Sequence, residues 1–340
     1  MIRRVAWATV YTLALAGALA PLPSWQVERW YSRGLYPLLQ RVLTTASNAV
    51  PFALFDILWV GAVAAAAAVS YRRIRSAGWR SGGRRLAMLA IRAAAVGYLV
   101  FLAAWGLNYR RVALMEKLAF DPGRVTRAAA SRLGEDNAAA MNRLYARAHE
   151  TPESLSSLTA AFEDAVIALG APRPVVPGRP KTTLLGGYFH ETSVAGMTDP
   201  FLLETLVAPD LLDVERPFVI AHEWAHLAGY ADESEANFVA WLTCRRGDAA
   251  AQYSAALALI GYAGPPKPLP EALDVGPRID IFAIRYRYSR TSRVLRIAAR
   301  HGYDTFLKAN RVERGVESYD AVVQLILGTG LDQKGNPRFR

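Results

Sequence analysis

The sequence predicts a mainly α-helical protein with a small β-sheet, an α+β domain that follows three N-terminal transmembrane helices. Three observations carry this expectation. Apolar runs crowd into the first third of the chain, helical spacing of Ala and Leu dominates the remainder, and only two short stretches near the middle are β-branched, aromatic and broken by Gly and Pro.

The predicted spans come first in the chain. Residues 5–22, 51–71 and 86–107 are long and apolar enough to form helices across a hydrocarbon core of ~30 Å. The first also fits a secretory signal, with MIRR as a positive leader and LALAGALA as small residues before a cleavage point. Against that reading, Pro21, Pro23 and Trp25 suit the interfacial end of a retained helix, and two further spans follow. Asp56 and Arg92 lie near span ends and must pair or reach the headgroups.

Charge then sets orientation. The formal net charge of +11, from 40 Lys and Arg against 29 Asp and Glu, would suit nucleic acid if it were gathered on one soluble face. Instead the loop 72–85 alone carries six Arg and no acid. Lys and Arg are retained on the cytoplasmic side, so this loop and the Arg3-Arg4 terminus lie inside. Residues 1–107 are then a membrane anchor and residues 108–340 an extracytoplasmic domain of the cytoplasmic membrane, opposed only weakly by Arg110 and Arg111. The expected partner is the lipid bilayer, and nucleic acid is excluded. The single cysteine, Cys244, allows neither an intramolecular disulfide nor a cysteine-based metal cluster.

Within the second part, residues 124–149 show helical spacing, and Thr151-Pro152-Glu153 opens a helix that runs to Gly170. APRPVVPGRP is a rigid connector, after which TTLLGGYF and SVAGMTDPF are expected as short strands. Helix resumes from Val214 to Tyr262, a Pro-rich loop spans Gly264 to Pro277, and the rest is helical to about Leu327.

The chemistry is concentrated in PFVIAHEWAHLAGYADESEANFVAWL. Residues four apart share a helix face, so His222 and His226 present their imidazoles to one ion while Glu223 stands beside them. Apolar flanks bury this helix, and a buried His-Glu-x-x-His run is costly without a partner for its charge. Two imidazoles and a carboxylate suit Zn2+ with a fourth position left for water. The ion would lower the pKa of that water toward ~7, and Glu223 would take its proton and hand it on to a leaving amine. The third ligand comes from ADESEAN. If Asp232 and Glu235 form a capping box after a chain reversal at Gly229, Glu233 is free to face the metal and Asn237 to hold a ligand histidine. Asp232 and Glu235 remain alternative ligands.

HEWAH followed by Glu233-x-x-Ala236-Asn237 resembles the gluzincin pattern, HExxH followed by Glu-x-x-Ala or Ser-Asp or Asn. That resemblance implies Glu233 as third ligand, a zincin-like fold and a zinc metallopeptidase that hydrolyses a peptide or protein substrate. Six residues separate His226 from Glu233, fewer than in many gluzincins, and HEWAHLAGYAD also fits the HExxHxxGxxD spacing of metzincins with Asp232 as ligand. The short spacing and the run YDTFLKANRVERGVESYDAVVQLILG are similar to an uncharacterised bacterial family of membrane-anchored proteins, domain-of-unknown-function family 3810. The alternative to a peptidase is a non-proteolytic zinc-binding sensor or assembly factor in the membrane.

Weaker candidates surround this motif. Gly186 to Phe189 or Val194 to Met197 would supply an edge strand for an extended substrate, with His190 and Glu191 in a turn between them. Tyr303 and Tyr319 are expected to pack on the core, or else to donate to an oxyanion. Cys244 suits a small buried hydrophobe, and Arg285, Arg287, Arg290, Arg293, Arg296 and Arg300 suit a solvated helix face or a surface for anionic groups.

Overall fold

The computed structural model describes residues 2–150, 154–263, 269–312 and 321–340. Helix α1 (Ile2–Leu19) ends where Pro21 and Pro23 forbid its continuation. The chain then turns by 113° into a helical stretch, Ser24–Asn48. This stretch comprises α2 (Ser24–Gln26), a π-helical segment (Val27–Leu35) and α3 (Tyr36–Asn48). Helix α4 (Leu54–Ala104) is continuous in its backbone, yet Trp59 and Phe101 both touch Phe201, at ring-centroid distances of 6.3 and 6.4 Å. A straight helix would hold residues 59 and 101 roughly 60 Å apart, so α4 folds back on itself.

Its two arms, Leu54–Ser76 and Ser81–Ala104, are each long and apolar enough to cross a bilayer, with mean hydropathies of 1.7 and 2.1. None of the most apolar window of the first arm is covered by protein, which is the pattern lipid requires. Val5–Leu19 is too short to qualify alone, and does so only together with the bent stretch that follows. It runs parallel to the second arm, because Arg92 lies over Trp7 at 4.7 Å and Leu102 lies against Gly17. Arg92 thus finds an aromatic face, and Asp56 accepts from the Thr183 hydroxyl at 2.5 Å and from the Leu184 amide at 3.0 Å.

The following region packs onto these apolar helices. After α5 (Leu114–Lys117) come α6 (Arg127–Glu150), which the Thr126 hydroxyl caps, and α7 (Leu155–Ala168), whose cap is Ser154. The proposed start at residues 151–153 lies outside the described residues. Then follow α8 (Gly186–Thr192), α9 (Arg216–Leu227), α10 (Glu233–Cys244) and α11 (Ala249–Ala263). Finally come α12 (Leu269–Ala272), α13 (Val275–Ser289), α14 (Arg293–Ala309) and α15 (Ala321–Gly328). Helix therefore occupies part of the expected Pro-rich loop, of which residues 264–268 lie outside the described residues, and Pro277 sits in the first turn of α13, where no backbone donor is needed.

Three short strands form one sheet in the order β1 (Pro180–Lys181), β3 (Thr205–Val207), β2 (Gly196–Thr198). β1 is parallel to β3 and β2 antiparallel to it. SVAGMTDPF contains β2, as its composition predicts, but no part of TTLLGGYF is a strand. The Thr183 hydroxyl accepts from the Leu185 amide and its carbonyl from Gly186, which turns the chain into α8 and buries Phe189. The edge next to the HEWAH helix is thus β2 alone.

One hydrophobic core runs through both halves. Val27, Tyr31, Tyr36, Phe101 and Trp105 share it with Trp224, Phe238 and Trp241. A buried carboxylate ties the same halves together. Glu204, which precedes β3, accepts from Lys181 at 2.5 Å, from Ser47 at 2.9 Å and from the amides of Leu54 and Phe55 at 3.0 and 2.7 Å. It therefore caps the N-terminus of the first apolar arm, where orphan amides and the helix dipole favour an anion.

A candidate metal centre

α9 begins with Pro217 in its first turn and runs through HEWAH to a reversal at Gly229, whose φ is +85°. The Gly229 amide bonds the His226 carbonyl at 2.9 Å and the Tyr230 amide reaches back to Ala225 at 3.1 Å, a Schellman ending that glycine supports. This reversal aims the Tyr230 carbonyl at His226 Nδ1, which donates to it at 2.7 Å. His222 Nδ1 donates to Asn237 Oδ1 at 2.8 Å. With both Nδ1 atoms engaged as donors, both Nε2 lone pairs face inward.

The next helix supplies the carboxylate. Asp232 caps α10, accepting from the Ser234 and Glu235 amides at 2.9 and 3.3 Å, so Glu233 occupies the first turn and points back at the histidines. Glu233 Oε2 lies 3.2 Å from His222 Nε2 and 3.6 Å from His226 Nε2, and the two Nε2 atoms are 3.1 Å apart. Ligand atoms held 2.0–2.1 Å from a tetrahedral ion are ~3.3 Å from one another, which these separations match. Glu233 Oε2 is also buried without a hydrogen-bond donor, as a metal ligand should be. The donor set therefore fits zinc.

Electrostatics point the same way. Burial disfavours charge on His226, yet Glu233 and Glu223 outweigh it and lift the pKa to about 9. Burial would likewise raise Glu233, but His226 and His222 hold it well below the ordinary carboxylate range. The cluster is a cage that calls for positive charge, supplied by a proton or a cation.

Glu223 sits beside it, 4% exposed, with Oε2 accepting from the Thr198 hydroxyl at 2.8 Å. Burial pushes its carboxyl above the usual range against the pull of His222 and His226. Gly196 leaves room for it: a β-carbon there would lie 2.7 Å from Glu223 Oε1. β2 thus shapes the site from the side. Ala195 and Asp199 bond inward to Ala208 and Glu204, at 2.9 and 3.0 Å, and Met197 pairs with Leu206. By the alternation of an antiparallel ladder, the peptide groups of Gly196 and Thr198 face the open edge.

The structure therefore brings together His222, His226 and Glu233, with Glu223 and Asn237 beside them, and takes the other acids elsewhere. Glu235 accepts from the Leu114 amide instead of closing a capping box, and burial with Asp232 nearby raises its pKa to about 7. His190 bonds Asp210 at 2.7 Å and Glu191 accepts from the Ser292 amide at 2.9 Å. Neither joins the cluster. Arg287 is buried against Glu215 at 2.8 Å, Arg296 bonds Thr291, and Cys244 is buried in α10. Tyr319 lies outside the described residues.

Several participants carry little signal in the sequence. Thr198 and Gly196 come from a three-residue strand, and Tyr303 donates to Glu233 Oε1 where core packing was expected. Trp105 donates its indole N–H to the His226 carbonyl at 3.0 Å, and Tyr36 its hydroxyl to the Leu227 carbonyl at 2.8 Å. Tyr36 thus meets a Leu227 carbonyl left over at the end of α9, and Trp105 adds a second donor to the His226 carbonyl that the Gly229 amide already bonds.

No curated protein and no solved structure matches the chain. A family model described as "Protein of unknown function (DUF3810)" matches residues 31–327, which include both apolar arms, the sheet and the histidine–glutamate cluster. The chain belongs to the DUF3810 family.

Proposed function

We propose that this protein is a zinc-dependent metallopeptidase with a zincin-like active site, held in the cytoplasmic membrane by three crossings with its N-terminus inside. The observation that carries this reading is the cluster itself. Three lone-pair-bearing atoms converge at tetrahedral spacing beside a buried carboxylate, along a sheet edge with free peptide groups. Zinc, when bound, polarises a carbonyl and acidifies a water. Glu223 then accepts the proton and returns it to the leaving amine, while Thr198 fixes its orientation. Gly196 and Thr198 pair with an extended substrate chain.

The depth of the same atoms supports a second reading, in which the ion is structural within a membrane sensor or assembly factor. His222 is the most open of the three ligands, with 13% of its side chain exposed against 9% for His226 and 1% for Glu233. Hydrolysis separates the two readings. Purified protein should carry about one zinc per chain and cleave an unfolded polypeptide in a chelator-sensitive manner. Zinc with no cleavage of any polypeptide would favour the sensor, and no zinc at all would remove both. Because a proton on His226 competes with the ion below about 9, zinc affinity should rise with pH, by about tenfold per unit up to that point. Titration against a competing chelator at several pH values measures this.

Orientation rests on the Arg loop 72–85 and on the direction of α1 alongside the second arm. A reporter fused after Arg340 should be active only outside the cytoplasm, and one inserted at Gly82 only inside. The opposite pattern would reverse the assignment.

A further inference from the structure

α14 divides sharply by chemistry. Val294, Leu295, Ala298, Gly302 and Phe306 share one face with Thr305 among them, and Arg293, Arg296, Arg300, Asp304 and Lys308 share the other, with Ile297 and the buried Leu307 the apolar exceptions there. An apolar face on a helix of a globular domain normally meets the core. Here Val294 is 76% exposed, and Leu295 and Phe306 remain open as well. Beside it, the turn into α8 exposes Leu184 at 77% and Tyr188 at 52%. The two elements are joined: Glu191 at the end of α8 accepts from the Ser292 amide, and Ser193 bonds Thr291 at 3.2 Å.

Both elements also reach the apolar helices, α14 by its C-terminal end. Leu184 is held by Asp56, three residues into the first apolar arm by number. Phe306 packs on Phe101, near the end of the second arm, at a ring-centroid distance of 6.2 Å. Arg311, just past α14, donates to the Ala18 and Ala20 carbonyls at the end of α1. This apolar surface is therefore continuous with the tops of the apolar helices, and cations line its other side.

We infer that α14 and the Leu184–Tyr188 turn lie in the headgroup region of the outer leaflet, a second membrane contact beside the metal centre. The inference rests on the proposed membrane insertion. Amphipathic helices of this kind bury an apolar face roughly 5–10 Å into the interface while Arg and Lys reach phosphates. The occupant is lipid and not a partner protein, because the patch starts where the bilayer-facing surface of α4 ends and no acidic complement is needed for its arginines beyond anionic headgroups.

Nitroxide labels on the full-length protein in vesicles of phosphatidylethanolamine and phosphatidylglycerol test this. Val294→Cys and Leu184→Cys replace exposed side chains, Arg300→Cys labels the polar face of α14, and Val63→Cys labels the first arm; Cys244 is buried. Relaxation by oxygen is compared with relaxation by a water-soluble nickel chelate. The labels at 294 and 184 should be several-fold less accessible to nickel than the label at 300, approaching the one at 63. If those two are as accessible as 300 while 63 is shielded, the domain stands clear of the bilayer and the inference is overturned. If 63 is also accessible to nickel, the membrane reading itself falls and takes the inference with it. Neither result depends on zinc or on hydrolysis.

Discussion

Glu223→Gln is expected to keep the metal and the fold while peptide hydrolysis falls by roughly 10²–10⁴-fold, the range typical for loss of a positioned general base. The amide retains the size of the carboxylate and still accepts from Thr198, so the contacts of β2 with α9 survive. What it cannot do is take a proton. The environment sharpens this expectation: burial already lifts the Glu223 pKa, which moves it toward the basicity that neutral-pH proton transfer needs. Elemental analysis and cleavage of an unfolded polypeptide, measured on the same preparation, read both halves of the prediction. Unchanged cleavage in Glu223→Gln would remove Glu223 as the base, and loss of zinc in that variant would mean it shares in binding the ion.

Glu233→Gln should have the largest effect on metal, exceeding the roughly 10–100-fold drop in affinity expected when an outer partner such as Asn237 becomes Ala. Glu233 Oε2 is the one anionic atom in the triangle, 3.2 and 3.6 Å from the two imidazoles, and Oε1 is engaged by Tyr303. Gln would offer a neutral and poorer ligand in a buried place. Asp232→Ala should behave differently, costing about 1 kcal/mol of stability through the lost cap of α10 and leaving zinc in place. The order Glu233, then Asn237, then Asp232 can be read from competition against a chromophoric chelator. If Asp232→Ala empties the site and Glu233→Gln does not, the metzincin-type spacing HExxHxxGxxD describes the ligands and the convergence at Glu233 is incidental.

How much of this was legible in the sequence depends on the range of the interaction. His222, His226 and Glu223 follow from helical spacing alone, and the separation of Asp232 from Glu233 follows from local capping rules, because neighbours on the chain decide both. Glu235 did not follow. Its bond to Leu114 links residues far apart in the chain, and no local pattern announces it. β3 was missed for a different reason: all three of its residues are buried, so it lacks the alternation by which a half-exposed strand is recognised. The Gly-Gly pair of TTLLGGYF reads as a strand break when taken alone, whereas Asp56 and Thr183 make it the opening of a helix. The apolar arms were plain from composition, but the helix Ser24–Asn48 between the first two predicted spans was not, since its burial is against the distant sheet and connector: Gln40 donates to Val176 at 2.7 Å and Thr44 to Leu203 at 3.0 Å.

Glu204 at the start of α4, with Trp105 and Tyr36 at the end of α9, has a consequence for how this protein can be handled and regulated in a cell. Each is a polar contact reaching from one half of the molecule to a helix terminus in the other. Separating the two sides of the chain near residue 107 would leave the Glu204 carboxylate, the Leu227 carbonyl and the shared aromatic core without their partners from the other half at once. Proteolytic release of residues 108–340 would therefore disturb the histidine–glutamate cluster instead of liberating it intact, and extraction of the whole chain in detergent is the route by which that cluster can be purified undisturbed.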